Sequence, residues 1–232
     1  MRPNIAGVLN IMLAILFLIA GQAQANPETN PTGMFELYEQ NRSEGIPNYI
    51  TEDFILLTEA VTELEESVLY PEFSGLVDGL IRSLKAGDIK DPVLRANLNY
   101  LKVLDCLLSG AKSSDSEVAK ELALIRGAEK TDVSGIMKQK IDYTQFKVRG
   151  KYTRNEKLRG YFQAMKYAGT AFFPVLESKA TGITADQADF LTKVALSMAQ
   201  LIYQDKTLLN RYQNLEKRLS WLFGPPDDLT LE

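Results

Sequence analysis

The sequence predicts an all-α fold: seven to eight amphipathic helices packed as antiparallel hairpins, with ordered connecting loops, after a cleaved signal peptide. Three observations predict it. Apolar residues recur at steps of three and four in segment after segment. Capping residues stand at the starts of those segments. No stretch shows the period-two alternation of a half-buried strand. With 45% hydrophobic and 24% charged residues, the 232-residue chain has the composition of a globular protein.

The first 25 residues read as an address. Arg2 supplies a short positive start, Ile5 to Ala20 is apolar apart from Asn10, and Ala23-Gln24-Ala25 gives a small-x-small cleavage pattern. The apolar run of about 16 residues falls short of the roughly 20 that a membrane span needs, so a membrane contact is expected only if this segment stays uncleaved. The expected location is extracytoplasmic: periplasmic, cell-surface or secreted. Residues 26–44 form a turn-rich linker with a short helix over Met34 to Gln40, and residues 45–232 form one helical domain.

Within that domain Thr51 caps a helix whose face is Phe54, Leu57, Val61, Leu64 and Val68. Pro71 separates it from a second, with Phe73, Leu76, Val77, Leu80 and Leu84 aligned. Asp91-Pro92 caps and opens a third that runs to Gly110. Its second half, Leu101 to Leu108, is apolar on nearly all sides, as in a central buried helix. Ser113 or Ser114 opens a fourth, with Val118, Leu122 and Ile125. Residues 131–152 lack a period and read as an ordered loop with one short helix near Ile136. Thr153-Arg154-Asn155-Glu156 and Thr184-Ala185-Asp186-Gln187 are capping boxes. Behind them run helices carrying Leu158, Tyr161, Phe162 and Met165, and then Leu191, Val194, Met198 and Leu201. Asp205 caps the last helix, which Gly224-Pro225-Pro226 stops.

Composition excludes several chemistries. There is no histidine, which removes Ser-His-Asp and Cys-His catalysis and His-ligated metals. One cysteine cannot form an intramolecular disulfide or a Cys-rich metal site. A net charge of −4 and a pI near 5.2 argue against a general nucleic-acid binder. No cofactor, catalytic residue or metal ligand is assigned.

The run Asp142-Tyr143-Thr144-Gln145-Phe146-Lys147-Val148-Arg149-Gly150-Lys151-Tyr152-Thr153, followed by Tyr161-Phe162-Gln163-Ala164-Met165, stands out. It resembles the Asp-x-Ser-Gln-Phe-x-Pro-Arg-Gly-His-Tyr-Thr … Tyr-Phe-x-Ala-Met signature of the domain of unknown function 3160 family. Gly45-Ile46-Pro47-Asn48-Tyr49-Ile50-Thr51-Glu52-Asp53 and Gly224-Pro225-Pro226-Asp227-Asp228-Leu229-Thr230 are similar to two flanking motifs of that family, in the same order. The resemblance implies that this chain corresponds to the N-terminal part of a longer family architecture. A missing C-terminal region or another envelope protein would then be its partner. Lys151 stands where the family pattern has histidine, so any histidine chemistry of relatives is not expected here.

The polar residues of that run, Asp142, Tyr143, Gln145, Arg149, Lys151 and Tyr152, form the candidate loop. Arg149 could clamp a carboxylate or sulfate through its planar fork, and the tyrosines could stack on sugar rings. Alternatively the loop is a structural latch in which Asp142 pairs with Arg149 and orders the helix behind it. Asp227 and Asp228 are weaker candidates, for Ca²⁺ or as a carboxylate pair, against a plain turn and helix start. Glu63, Glu65 and Glu66 could serve glycoside cleavage, which needs two carboxylates across a cleft, but most acidic helical runs are solvated faces. Cys106, among Leu104, Leu107 and Leu108, reads as a packed core thiol. Trp221 and Phe223 read as core or as an interface. The expected function is a non-catalytic binding or scaffolding module of the cell envelope. The alternatives are a carboxylate-dependent hydrolase or lyase acting on polysaccharide, and a fragment that docks on a longer partner.

Overall fold

The computed structural model describes residues 50–85 and 90–224, with side chains from Ile55 onward. The signal segment, the short helix expected at Met34 to Gln40, and Asp227 and Asp228 lie outside the described residues.

Six joined helices make up the described chain, not seven or eight. The difference arises at Pro71. Helical hydrogen bonding runs on from the α-helical stretch Ile50–Leu64 through a π turn, Glu65–Leu69, into a second stretch, Tyr70–Lys85. We call the whole run α1. A proline lacks the N–H for the carbonyl four residues back and presses its ring against that turn. The wider π turn just before it absorbs both effects, so the helix changes pitch instead of stopping. Beyond it come α2 (Pro92–Ser109), α3 (Ser116–Gly127), α4 (Glu156–Thr170), α5 (Ala185–Gln204) and α6 (Lys206–Phe223).

Caps account for most of these boundaries. Asp91 accepts hydrogen bonds from the amides of Val93 and Leu94, with Pro92 in the first turn of α2. α2 ends where Gly110 adopts φ 73°, a conformation glycine enters without a Cβ penalty. At α5 the Thr184–Gln187 capping box is complete. Asp205 accepts from the amides of Thr207 and Leu208 at the start of α6. Two expected caps are displaced. Asp115, not Ser113 or Ser114, caps α3, and Asn155, not Thr153, caps α4. In each case the side chain that reaches the free amides lies two or fewer residues downstream of the expected one.

The segment expected to be a loop with a helix near Ile136 contains a small antiparallel hairpin, β1 (Thr131–Val133) and β2 (Lys140–Asp142). Ile136 sits in the turn between the strands. Thr131 pairs with Asp142, and the Tyr143 amide continues the ladder onto the Lys130 carbonyl at 3.1 Å. Strands of three residues are too short to display alternation in sequence.

The chain divides into two compact units: the described residues up to Leu69 with those from Asn214 onward, and Tyr70–Gln213. In the first, Val61, Leu69, Leu215 and Leu222 are buried. In the second, α2 is the hub. It packs against α3, α4, α5 and the Tyr70–Lys85 stretch of α1. Leu98, Leu101, Val103, Leu104, Leu107 and Leu108 on α2 are all buried, and so are Asn97 and Asn99. Within this unit α2 is thus the element on which its sequence neighbours and the later helices α4 and α5 all pack. Burying each large apolar side chain contributes about 1.5–3 kcal/mol. The Asn97 side-chain NH2 donates to the Val194 carbonyl (3.0 Å) and the Ser197 hydroxyl (2.6 Å) of α5, while its Oδ1 is buried without a hydrogen-bond partner. α4 comes closest. Gly160 lies so near the Leu107 carbonyl that a Cβ there would overlap it.

Candidate functional site

The candidate loop belongs to the Tyr70–Gln213 unit and follows β2 directly. Asp142 caps a 3₁₀ turn, Tyr143–Phe146, and its carboxylate accepts from the Thr144 amide (3.1 Å), the Thr144 hydroxyl (2.7 Å) and the Gln145 side-chain amide (3.3 Å). The Thr144 hydroxyl, followed by Gln145, holds this carboxyl below the usual carboxylate range. These contacts hold it within the loop, and it forms no ion pair with Arg149.

The loop is nonetheless anchored, through a residue pair the sequence did not reveal. Tyr143 is wholly buried, and its phenol donates a 2.6 Å hydrogen bond to the buried carboxylate of Glu121 on α3. Burial first, and that acceptor second, push the phenol far above its ordinary range. Phe146 is also fully buried, and its carbonyl accepts from Gln163 of α4 at 3.4 Å. Tyr143 and Phe146 are thus the inward plugs of the loop.

The outward side chains differ. Gln145 and Arg149 are exposed, while Lys151 and Tyr152 are half-buried. Gly150, at φ 57°, turns the chain into a second 3₁₀ turn, Gly150–Thr153. Tyr152 from that turn packs its ring on Phe162 of α4, centroids 4.8 Å apart, and the Lys151 ammonium lies 5.0 Å over Tyr152. The tyrosine expected to stack on a sugar has an aromatic neighbour on one side already.

Charge separates this region from the rest of the protein. From Lys138 to Arg159 eight residues are basic and only Asp142 and Glu156 are acidic, within a chain whose net charge is −4. Of the eight, all but Lys151 are exposed. Beside the loop runs an open groove of about 600 Å³. One wall is Phe146, Lys147, Val148 and Thr153; the others are the ends of α2 and α3 and the first turns of α4, with Arg126, Glu129, Glu156, Arg159 and Gln163. Arg126 is held across the C-terminal end of α2 by donating to the carbonyls of Cys106 (3.0 Å) and Ala111 (2.8 Å). Arg159 pairs with Glu156 at 2.8 Å.

A family model described as protein of unknown function (DUF3160) matches residues 15–232. The chain belongs to this family. No curated protein and no solved structure matches it. In this DUF3160 chain the signature run is therefore the end of a hairpin strand followed by two 3₁₀ turns, with Tyr143 and Phe146 driven into the core.

The remaining candidates separate. Glu63, Glu65 and Glu66 belong to the first compact unit, where Glu65 is buried in the π turn. Cys106 is buried, and burial followed by the Asp105 charge raises its thiol, which disfavours the reactive thiolate. Trp221 and Phe223 are exposed, Phe223 at 61%. Among the described residues no group of three or more Cys, Asp or Glu is placed to hold a metal ion, and no helix is long and apolar enough to cross a membrane. Sequence reasoning missed three features. Glu121 carried no signal, because a single glutamate beside a helix stripe looks solvated. Gly160 did carry one, as a glycine inside a capped helix. The basic cluster was countable but hidden in the net charge.

Proposed function

We propose that the chain works outside the cytoplasm as a non-catalytic binding module for acidic polysaccharide of the cell envelope, with the outer face of the Asp142–Thr153 loop and the adjoining groove as its contact surface. One observation carries the reading: a segment rich in Lys and Arg is pinned from within by Tyr143 and Phe146, so its cations are displayed on an ordered support. Carboxylate or sulfate groups on a polymer match such a surface, since guanidinium groups engage them through paired hydrogen bonds. A groove with Arg126, Lys147 and Arg159 in its walls suits a sugar chain better than a compact apolar ligand. Export follows from the leader pattern of the first 25 residues.

The test is calorimetric titration of the chain from Asn26 onward with alginate, dextran sulfate and neutral dextran. Saturable binding of an acidic polymer, weakened about tenfold or more in Lys147→Ala/Arg149→Ala and unchanged in Lys112→Ala/Lys120→Ala, is expected. Equal binding of neutral dextran, or depolymerisation of any of the three, overturns the reading.

A further inference from the structure

A second cluster of cations lies away from the signature loop, in the same compact unit. Between the Tyr70–Lys85 stretch of α1 and the first turn of α6 is a cleft of about 380 Å³. α1 lines it with Gly75, Gly79, Arg82 and Ser83, spaced to share one helix face, and α6 lines it with Asp205, Thr207, Leu208 and Arg211.

Glycine inside a helix is destabilising relative to alanine, so two of them one turn apart point to a spatial demand. Both lie against side chains of α6. A Cβ on Gly75 would collide with Nη1 of Arg211, and a Cβ on Gly79 with a methyl of Leu208. The glycines therefore form a cradle in which the Arg211 guanidinium rests against the backbone of α1. Arg82 follows Gly79 on the same face. Neither arginine forms an ion pair among the described residues. The first amides of α6 are not what the cleft offers, because Asp205 accepts from Thr207 at 2.7 Å and from Leu208 at 3.3 Å. The cleft then offers a pair of guanidinium groups, the hydroxyls of Ser83 and Thr207, and Asp205 Oδ2, one carboxylate against two cations.

We propose that this cleft binds a tetrahedral dianionic oxyanion, a phosphate or sulfate group, between Arg82 and Arg211. With two guanidinium groups against the single Asp205 carboxylate the lining is net positive, and a dianion can accept paired N–H donors from each arginine. The hydroxyls can donate to its remaining oxygens. No residue is shared with the loop and groove, so the two sites stand or fall separately.

The test is titration of the chain from Asn26 onward, at constant ionic strength, with inorganic phosphate, inorganic sulfate, glucose 6-phosphate and acetate. Saturable binding of phosphate or sulfate is expected, with acetate weaker by about tenfold. Arg82→Gln or Arg211→Gln should each weaken binding about tenfold, and the double variant should abolish it. Lys147→Ala/Arg149→Ala should leave it unchanged. Both arginines are exposed, so the variants should melt with the wild-type protein when no anion is added. Glucose 6-phosphate binding as tightly as phosphate would identify an ester group as the natural form, and binding of the free ion alone would identify the inorganic anion. Absence of saturable binding, parity of acetate with phosphate, or full binding by the double variant overturns the proposal.

Discussion

Tyr143→Phe removes one oxygen atom and nothing else, so it isolates what anchors the signature loop. The phenol lies 2.6 Å from Glu121 Oε1, Tyr143 is fully buried and Glu121 is 1% exposed, so the pair is shielded from bulk water. A hydrogen bond to a charged group contributes about 1.5–3 kcal/mol, and a buried acceptor left without its donor keeps its desolvation penalty. The expected loss is therefore about 2–3 kcal/mol of unfolding free energy. For a chain of this length each kcal/mol moves the melting temperature by about 2–4 °C, which gives a drop of about 4–12 °C. Urea unfolding followed by far-UV circular dichroism measures the free energy directly. Replacing both partners, as in Tyr143→Phe/Glu121→Met, should restore much of the loss, because an apolar pair leaves nothing unsatisfied. If Tyr143→Phe unfolds within about 0.5 kcal/mol of wild type, the value expected of a surface change, the anchoring argument fails.

Other consequences can be read from single sites. Gly160→Ala should destabilise by about 1–3 kcal/mol, because its methyl group would overlap the backbone carbonyl of Leu107, whereas Gly169→Ala in the same helix meets nothing and should gain up to about 1 kcal/mol. Equal melting temperatures for the two variants would contradict the close α2–α4 packing. Arg149→Ala should leave the melting temperature within about 2 °C of wild type, since Asp142 is engaged by Thr144 and Gln145; a large drop would revive an Asp142–Arg149 latch. Burial raises the phenols of Tyr100, Tyr143 and Tyr167 above the usual 10. The fold therefore holds these protons to higher pH than the unfolded chain does. Their contribution is complete below about pH 10 and lost as pH climbs beyond it. Absorbance of tyrosinate should thus show a class of tyrosines that ionises only as the helical signal collapses, and simple titration of every tyrosine near pH 10 with the fold intact would refute the burial.

Local signals were the legible ones. Asp91-Pro92, Thr184 with Gln187, and Asp205 act within three residues of themselves, so their roles could be read from spacing. The central place of Leu101 to Leu108 was equally plain, because a helix apolar all round has nowhere to go but inside. Pro71 misled because a proline in a helical pattern has two physical solutions, a break or a widened turn, and only the surrounding packing selects between them. The β1–β2 hairpin is held by a ladder too short to leave a period. In the candidate site Asp142, Tyr143, Gln145, Arg149, Lys151 and Tyr152 form one continuous stretch, but its division into inward and outward residues is not visible in the sequence. That division depends on Glu121, 22 residues away in sequence, and on Gln163 behind Phe146. Long-range polar partners of this kind leave no local trace.

The basic, internally pinned loop is the proposed contact surface. Backbone amide NMR of the ¹⁵N-labelled chain during titration with alginate oligosaccharides tests it directly. Shifts confined to residues 145–159 and to the groove residues 126–129 are predicted. Shifts centred on the exposed apolar residues Leu196 and Tyr203 of α5 instead, or a spectrum that no acidic oligosaccharide perturbs, would contradict it.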